Sequence, residues 1–331
     1  MSKLGAACCF SLSLFALPAA SQVDMAAVEQ ARESFITRVV AEHGLERESV
    51  TAILAGAKID TSVLEAISRP AERVVPWYDY RNIFLTDQRI AAGAEFWRQH
   101  EATIAATAQR HGVNPEMLVA IIGVESMFGQ RMGRYRVLDS LSTLAFAYPR
   151  RAAFFSSELE SFLLMINEEG PELIEALGSY AGAMGAGQFI PSSYRAYAVD
   201  ANSDGRRDLW QDWEDVLASV ANYFAAHGWR AGEPIVVPAS PAADTPEPRN
   251  GLDLDTTVGA LRSSGYSFDA TLPDGARARA LQFEQDADSM EYWISLHNFY
   301  VITRYNRSEK YALAAYQLGQ AIRNAYQGAT L

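Results

Sequence analysis

Helical periodicity runs through most of this chain and breaks decisively once, and that break constrains the fold more than any other feature. Stretches such as AAVEQARESFITRVVAEHGL (26–45), SSELESFLLMINEE (156–169) and WEDVLASVANYFAAHGW (213–229) are helical in pattern, the first closed by Gly44. At GEPIVVPASPAADTPEPRNG (232–251) Pro, Ala, Asp and Asn replace the helix formers, and short alternating runs such as ARALQFEQ (278–285) follow. Helical pattern returns over YWISLHNFYVITRYNRSEKYALAAYQLGQAIRNAYQ (292–327). The expectation is a mainly α protein. It comprises an N-terminal helical domain (22–100), a helical core (101–232 plus 291–331) and a small α+β insert (233–290). PWYDYRNIFLT (76–86) reads as an aromatic connector rather than a regular element.

Composition narrows the partners. With 28 Lys and Arg against 40 Asp and Glu, the net charge of −12 argues against nucleic acid or anionic lipid, both of which need a basic surface. MSKLGAACCFSLSLFALPAAS, residues 1–21, has an early Lys3, an apolar run and small residues at its end, the build of a signal peptide. Both cysteines, Cys8 and Cys9, lie inside it, so the mature chain is expected to lack disulfides and cysteine chemistry. Too little apolar sequence precedes Cys8 for a lipid anchor, and no later run reaches the roughly 18 residues of a membrane span. The mature chain is expected to be soluble and exported.

EMLVAIIGVESMFGQ (116–130) sets a carboxylate in an apolar stripe: Leu118, Ile121, Ile122 and Glu125 share one helix face. Asn114 suits the N-cap, Pro115 the first helical position and Gly129 the exit. Burial among Ile121, Ile122 and Val124 is expected to raise the pKa of Glu125, and an acid still protonated near neutral pH can protonate a leaving oxygen. The alternative, a core carboxylate satisfied by Arg131, Arg134 or Tyr223, is left open by the helix pattern alone.

Three further features carry chemistry. GSYAGAMGAGQFIPSSY (178–194) combines close-approach glycines with Ser179 and Gln188, suiting either a ligand-facing loop or tight helix packing. In DANSDGRRDLWQDWED (200–215), Asp200, Asn202, Asp204 and Gly205 fill positions 1, 3, 5 and 6 of an EF-hand loop. The carbonyl of Arg206 falls at position 7 and Asp208 at position 9; Gln211 departs from the acidic residue of position 12, so Asp215 or Glu214 is the candidate closing ligand. An Asx-rich turn capping the next helix is the alternative. Aromatics suited to stacking on sugar rings recur at Tyr80, Tyr194, Tyr197, Trp210, Tyr223, Trp229, Tyr305 and Tyr311, with Asn306 beside Tyr305 in ITRYN (302–306). Serine-hydrolase and zinc-protease motifs are missing, and no organic cofactor is expected.

Taken together, IIGVESMFGQRMGRYRVLDSLSTLAFAYPRR (121–151), SYAGAMGAGQFIPSSY (179–194), VANYFAAHGW (220–229) and FYVITRYNRSEKYA (299–312) resemble the lytic murein transglycosylase B family and its soluble relatives. The resemblance implies a lysozyme-like helical core flanked by an α domain and a small β-containing insert. It implies that Glu125 is the catalytic residue and that Tyr80, Ser179, Gln188, Tyr223, Tyr305, Asn306 and Tyr311, with Arg150 and Arg151, line a glycan cleft. It implies one structural Ca2+ held by Asp200, Asn202, Asp204, the Arg206 carbonyl and, best aligned, Asp215. The implied partner is the peptidoglycan glycan strand, met in the periplasm by a monomer.

Ordinary glycoside hydrolysis uses two carboxylates, and the motifs offer no second one near Glu125. Asp139, in RVLDSLSTL (136–144), suits a structural or capping role better. The expected reaction therefore uses Glu125 twice: as acid to the β-1,4 glycosidic oxygen, then as base to the muramyl C6 hydroxyl, which closes a 1,6-anhydro ring. The rivals are a lysozyme-type muramidase using water and a non-catalytic murein-binding protein.

Overall fold

The computed structural model describes residues 23–69, 75–268 and 271–328; the signal-peptide reading of residues 1–21 lies outside them. Three helices open the chain: α1 (Met25–His43), α2 (Arg47–Ala55) and α3 (Thr61–Ser68). Asp24 caps α1 by accepting from Ala26 N and Ala27 N, and Gly44 closes it at φ 66, a conformation without steric cost for glycine.

Then comes α4 (Trp77–Phe84), where a connector was expected. Aromatic residues are weak helix formers, so local propensity gives little signal there. Packing decides instead: Trp77 is 1% exposed and Tyr80 8%.

The core is built on α7 (Pro115–Ser126), whose residues Met117 to Ile122 are all 0% exposed. A helix apolar all round must be covered on every side. The cover comes from α5 (Asp87–Gln99), α6 (Glu101–His111), α11 (Trp213–Ala226) and α14 (Glu309–Tyr326). A second packed group joins α8 (Val137–Ala147), α9 (Ala152–Glu169) and α10 (Pro191–Tyr197), with α8 also bearing on α1 and α3. Two short strands, β1 (Tyr135–Arg136) and β2 (Leu177–Gly178), pair antiparallel and tie the segment after α7 to the glycine-rich loop.

The insert is a five-stranded antiparallel sheet of order β4-β6-β7-β3-β5. Its strands are β3 (Val236–Pro241), β4 (Thr256–Thr257), β5 (Tyr266–Ser267), β6 (Arg277–Glu284) and β7 (Met290–Ser295), with helix α12 (Val258–Ser263) on one face. Strand alternation splits β6: Ala278 and Ala280 face the insert's own cluster, while Leu281 and Phe283 join the main core. Residues 292–295, read from sequence as the start of a helix, are the end of β7 and pair with both β3 and β6. Tyr-Trp-Ile is strand-forming chemistry that the flanking helical pattern obscures. The helix proper, α13 (His297–Tyr305), begins after Leu296 and leads into α14.

Candidate active site

Glu125 sits in the last turn of α7, and the way that helix ends sets its position. The exit comes earlier than Gly129: α7 stops at Ser126, and Met127 and Phe128 adopt left-handed φ values of 51 and 58. Non-glycine residues in that region are strained by about 1–3 kcal/mol each unless packing holds them. Here Phe128 is held between α5 and α7, where a Cβ added at Gly123 would approach its ring to 2.7 Å and one at Gly93 to 2.9 Å. The reversal keeps one edge of Glu125 accessible while Ile121 and Ile122 behind it are sealed.

The partner of Glu125 is Tyr311, not Arg131, Arg134 or Tyr223. The Tyr311 hydroxyl donates to Glu125 Oε1 at 2.5 Å from the first turn of α14. Burial pushes the Glu125 carboxyl up to about 7 and the Tyr311 hydrogen bond pulls against it. Burial, then the charge of Glu125, holds the Tyr311 and Tyr305 phenols well above the ordinary tyrosine value, so both remain neutral donors. Tyr80 is close enough to act on Tyr311. Among the described residues, Oε2 has no hydrogen-bond partner.

Around this centre the other expected residues divide. Tyr305 donates to the Gly187 carbonyl at 2.6 Å, and its ring lies 4.8 Å from that of Tyr223, which donates to the Arg304 carbonyl at 2.6 Å. Gln188, at φ 51, spends its amide N–H groups on the Met132 and Gly185 carbonyls. Ser179 Oγ accepts from Ala181 N and Ala183 N, pinning the glycine-rich loop and keeping its own proton to offer. Ahead of α10 this segment is loop rather than helix, and its glycines do pack closely: a Cβ added at Gly182 would meet Leu141 at 2.5 Å and one at Gly185 would meet Leu209 at 2.3 Å. Asn306 is exposed just beyond α13. Among the described residues no hydrogen bond, ion pair or ring contact connects Arg150 or Arg151 to the Glu125 group; Arg151 lies over the rings of Phe154 and Phe155. Asp139 is occupied, accepting from Lys58 N at 2.9 Å and Arg136 Nη1 at 3.1 Å.

The acidic loop at 200–215 folds on its own side chains. Asp200 accepts from Asp204 N and Gly205 N, Asn202 from Asp204 N, and Asp204 from Arg206 N. Ser203 and Gly205 make the turn at φ 63 and 88. Of the two closing candidates, Asp215 is 1% exposed and accepts from Ala201 N and Asp208 N across the loop, whereas Glu214 is exposed. Burial raises the Asp215 carboxyl, backbone hydrogen bonds oppose that, and the charges of Asp212 and Asp200 raise it again. Among the described residues no cationic side chain pairs with Asp200, Asp204, Asp212 or Asp215 within 4.0 Å. Acidic side chains without a counter-charge suit a hard divalent cation, but among the described residues no three carboxylates of this loop bring donor atoms within 4.8 Å of one another. Asp208, the position-9 candidate, instead caps a turn through Trp210 N and Gln211 N. Elsewhere Glu42, His43 and Glu160 bring three donor atoms within 4.8 Å, but Arg38 already pairs with both glutamates.

Sequence reasoning missed Asp212, which accepts from the Asn202 amide and caps α11 through Glu214 N and Asp215 N. Its signal was present: an aspartate immediately before an apolar-periodic run is an N-cap pattern. It also missed Trp77, whose partners are more than two hundred residues away and leave no local trace.

Comparison with known proteins gives consistent matches. The family model described as the transglycosylase SLT domain matches residues 27–320. The membrane-bound lytic murein transglycosylase B of Escherichia coli is 43% identical over 299 residues, covering 88% of this chain and 82% of its own. The soluble lytic transglycosylase SltB1 of Pseudomonas aeruginosa superposes with a TM-score of 0.85 at 45% identity, over 91% of this chain and all of that one. Escherichia coli Slt35 in complex with calcium gives 0.81 at 42%, over 90% and 94%. Pseudomonas aeruginosa SltB3 in complex with NAG-NAM-pentapeptide gives 0.78 at 32%, over 90% and 80%.

Proposed function

The chain belongs to the SLT transglycosylase family and is a peptidoglycan lytic transglycosylase, and on that premise we propose that Glu125 alone carries its acid and base chemistry. One observation supports the proposal above the rest: a carboxyl raised to about 7 by burial and anchored through one oxygen by Tyr311. An acid with such a pKa is about half protonated at neutral pH, so it can give up a proton and take one back without a large penalty in either direction.

Glu125 protonates the glycosidic oxygen between N-acetylmuramic acid and N-acetylglucosamine, and the C1–O bond breaks. The muramyl acetamido group meets the charge developing at C1, as substrate-assisted glycosidases allow. The ionised Glu125 then takes the proton of the muramyl C6 hydroxyl, whose oxygen bonds to C1. Protons balance, and no water enters. Tyr311 serves both halves, because a neutral phenol stabilises the carboxylate between them. A water-consuming route needs a second carboxylate or a positioned water, and Asp139, the carboxylate nearest in the motifs, accepts from Lys58 and Arg136.

In the same reading Tyr80, Tyr223 and Tyr305 present ring faces to the sugars, and Ser179, Gln188 and Asn306 present polar groups. Arg150 and Arg151 belong to the cleft on resemblance alone. Asp200, Asn202, Asp204, the Arg206 carbonyl and Asp215 would hold Ca2+, which supplies counter-charge to the loop. The enzyme is read as a monomer in the periplasm, on the signal-peptide pattern of residues 1–21, and no helix among the described residues is long and apolar enough to cross a membrane. The division into an N-terminal helical domain, a core and an insert belongs to this reading too.

The test is mass spectrometry of muropeptides released from purified murein, with Glu125→Gln run in parallel. Anhydro products from the wild type and none from the variant are expected. Reducing-end products would replace the reading with a lysozyme-type hydrolase, and no products from either would turn it towards a murein-binding protein.

A further inference from the structure

We propose that the β6–β7 hairpin of the insert is a strap that positions the Tyr80 wall of the cleft, with Trp77, Glu284 and Glu291 as its positioning residues. The proposal rests on the cleft reading above for what Tyr80 does, but not for how α4 is held.

At eight residues, α4 is far shorter than a helix that is stable alone, and its N-cap is Pro76, which offers no side-chain oxygen. A carboxylate from the insert does that work. Glu284 accepts from Trp77 N at 3.1 Å, satisfying an orphan donor at the helix start with a negative charge where the dipole favours one. Glu291 accepts from the Trp77 indole Nε1 at 2.6 Å. Phe283 packs against the same indole, ring centroids 5.2 Å apart. Phe283 and Glu291 are register partners, and Glu284 occupies the next rung, so the contacts come from the outer end of the hairpin.

The hold reaches the site in two directions. Along α4, Trp77 stacks on Tyr80 at 6.3 Å and 27°, and α4 packs against α14, the helix that carries Tyr311. Across the cleft, Lys310, which immediately precedes Tyr311, donates to the Val75 carbonyl at 2.7 Å and lies 3.9 Å from Glu284. The hairpin end thereby touches the segment carrying Tyr80 and the helix carrying Tyr311. An insert without catalytic groups of its own acquires a role: it fixes the spacing of two cleft walls that belong to different parts of the chain.

The test compares Glu284→Ala/Glu291→Ala with Glu284→Gln/Glu291→Gln, since a Gln carbonyl still accepts both bonds. Hydrogen exchange is read at α4 and α7, and kcat and KM on purified murein are read separately. In the Ala pair, α4 amides are expected to exchange about fivefold faster or more, on the scale of one lost hydrogen bond, with α7 unchanged. KM should rise by a similar factor while kcat and its pH limb are kept, and the Gln pair should behave as wild type. Unchanged α4 exchange in the Ala pair would overturn the strap. Faster exchange with unchanged KM, or a loss confined to melting temperature and kcat, would overturn its positioning role. A wild type that releases no anhydro product would count against the function alone, because the exchange measurement still decides whether the hairpin holds α4.

Discussion

At the scale of the residue, the role proposed for Glu125 couples catalysis to stability through one proton. An unperturbed glutamate titrates at 4.5 and Glu125 in the fold at about 7. Between those values the native state keeps a proton that the unfolded chain has released, so this group's contribution to stability falls as pH rises through the window. Glu125→Gln should therefore raise the melting temperature near pH 8, by the equivalent of about 3 kcal/mol, and change it little near pH 4. Calorimetry at the two pH values checks this, and a lower melting temperature near pH 8 would mean the charge is better solvated than its surroundings imply. Activity follows the same ionisation: kcat/KM should fall above about 7, with no second carboxylate to produce an opposing limb. In Tyr311→Phe the bond that holds the carboxyl down is lost, so that limb should move to higher pH. A limb that stays in place would show that Tyr311 orients Glu125 without tuning it.

At the scale of the element, α7 and its exit decide where the acid points. The helix itself is legible: Pro115 at its first position, Leu118, Ile121 and Ile122 along its core and Glu125 near its end were all readable as pattern. Its exit was not, because the reversal at Met127 and Phe128 depends on a ring seated between two helices rather than on a glycine in the local sequence. Gly123→Ala should cost about 1–3 kcal/mol by overpacking against Phe128, visible as a lower denaturation midpoint. Pairing it with Phe128→Leu should recover part of the loss. A Gly123→Ala protein as stable as wild type would show that Phe128 can move without disturbing the turn. The helix α4 makes the opposite case: its aromatic residues give weak local preference, and Glu284 and Phe283 supply the missing cap and cover.

At the scale of the molecule, the acidic loop joins α10 to α11 and so ties two helices of the core together. Asp215 belongs to α11 yet bonds Ala201 N and Asp208 N in the loop, so the loop's charge balance is felt by the helix. Chelation should lower the melting temperature by a few degrees, the scale expected when an ion near a hundred times its Kd is removed, about 2.7 kcal/mol. Activity per folded molecule should change less, since the loop supplies no group to Glu125. Asp215→Asn should make melting insensitive to chelator; equal melting of the wild type with and without chelator would remove calcium from the account.

The sequence by itself determined the class of fold, the placing of a carboxylate in an apolar helix face and the acidic loop. Each is encoded within one segment: apolar spacing on one helix, a carboxylate in that spacing, and acidic oxygens at alternate positions around a glycine. Only the tertiary structure decided which hydroxyl meets Glu125, which acid faces the loop, that residues 292–295 pair as strand, and that Trp77 is held by the insert. Those outcomes depend on groups far apart in the chain, Tyr311 for Glu125 and Glu291 for Trp77. Local pattern reports what a segment can form and which face it must bury, but the identity of the atom waiting across the interface is fixed only when the elements pack.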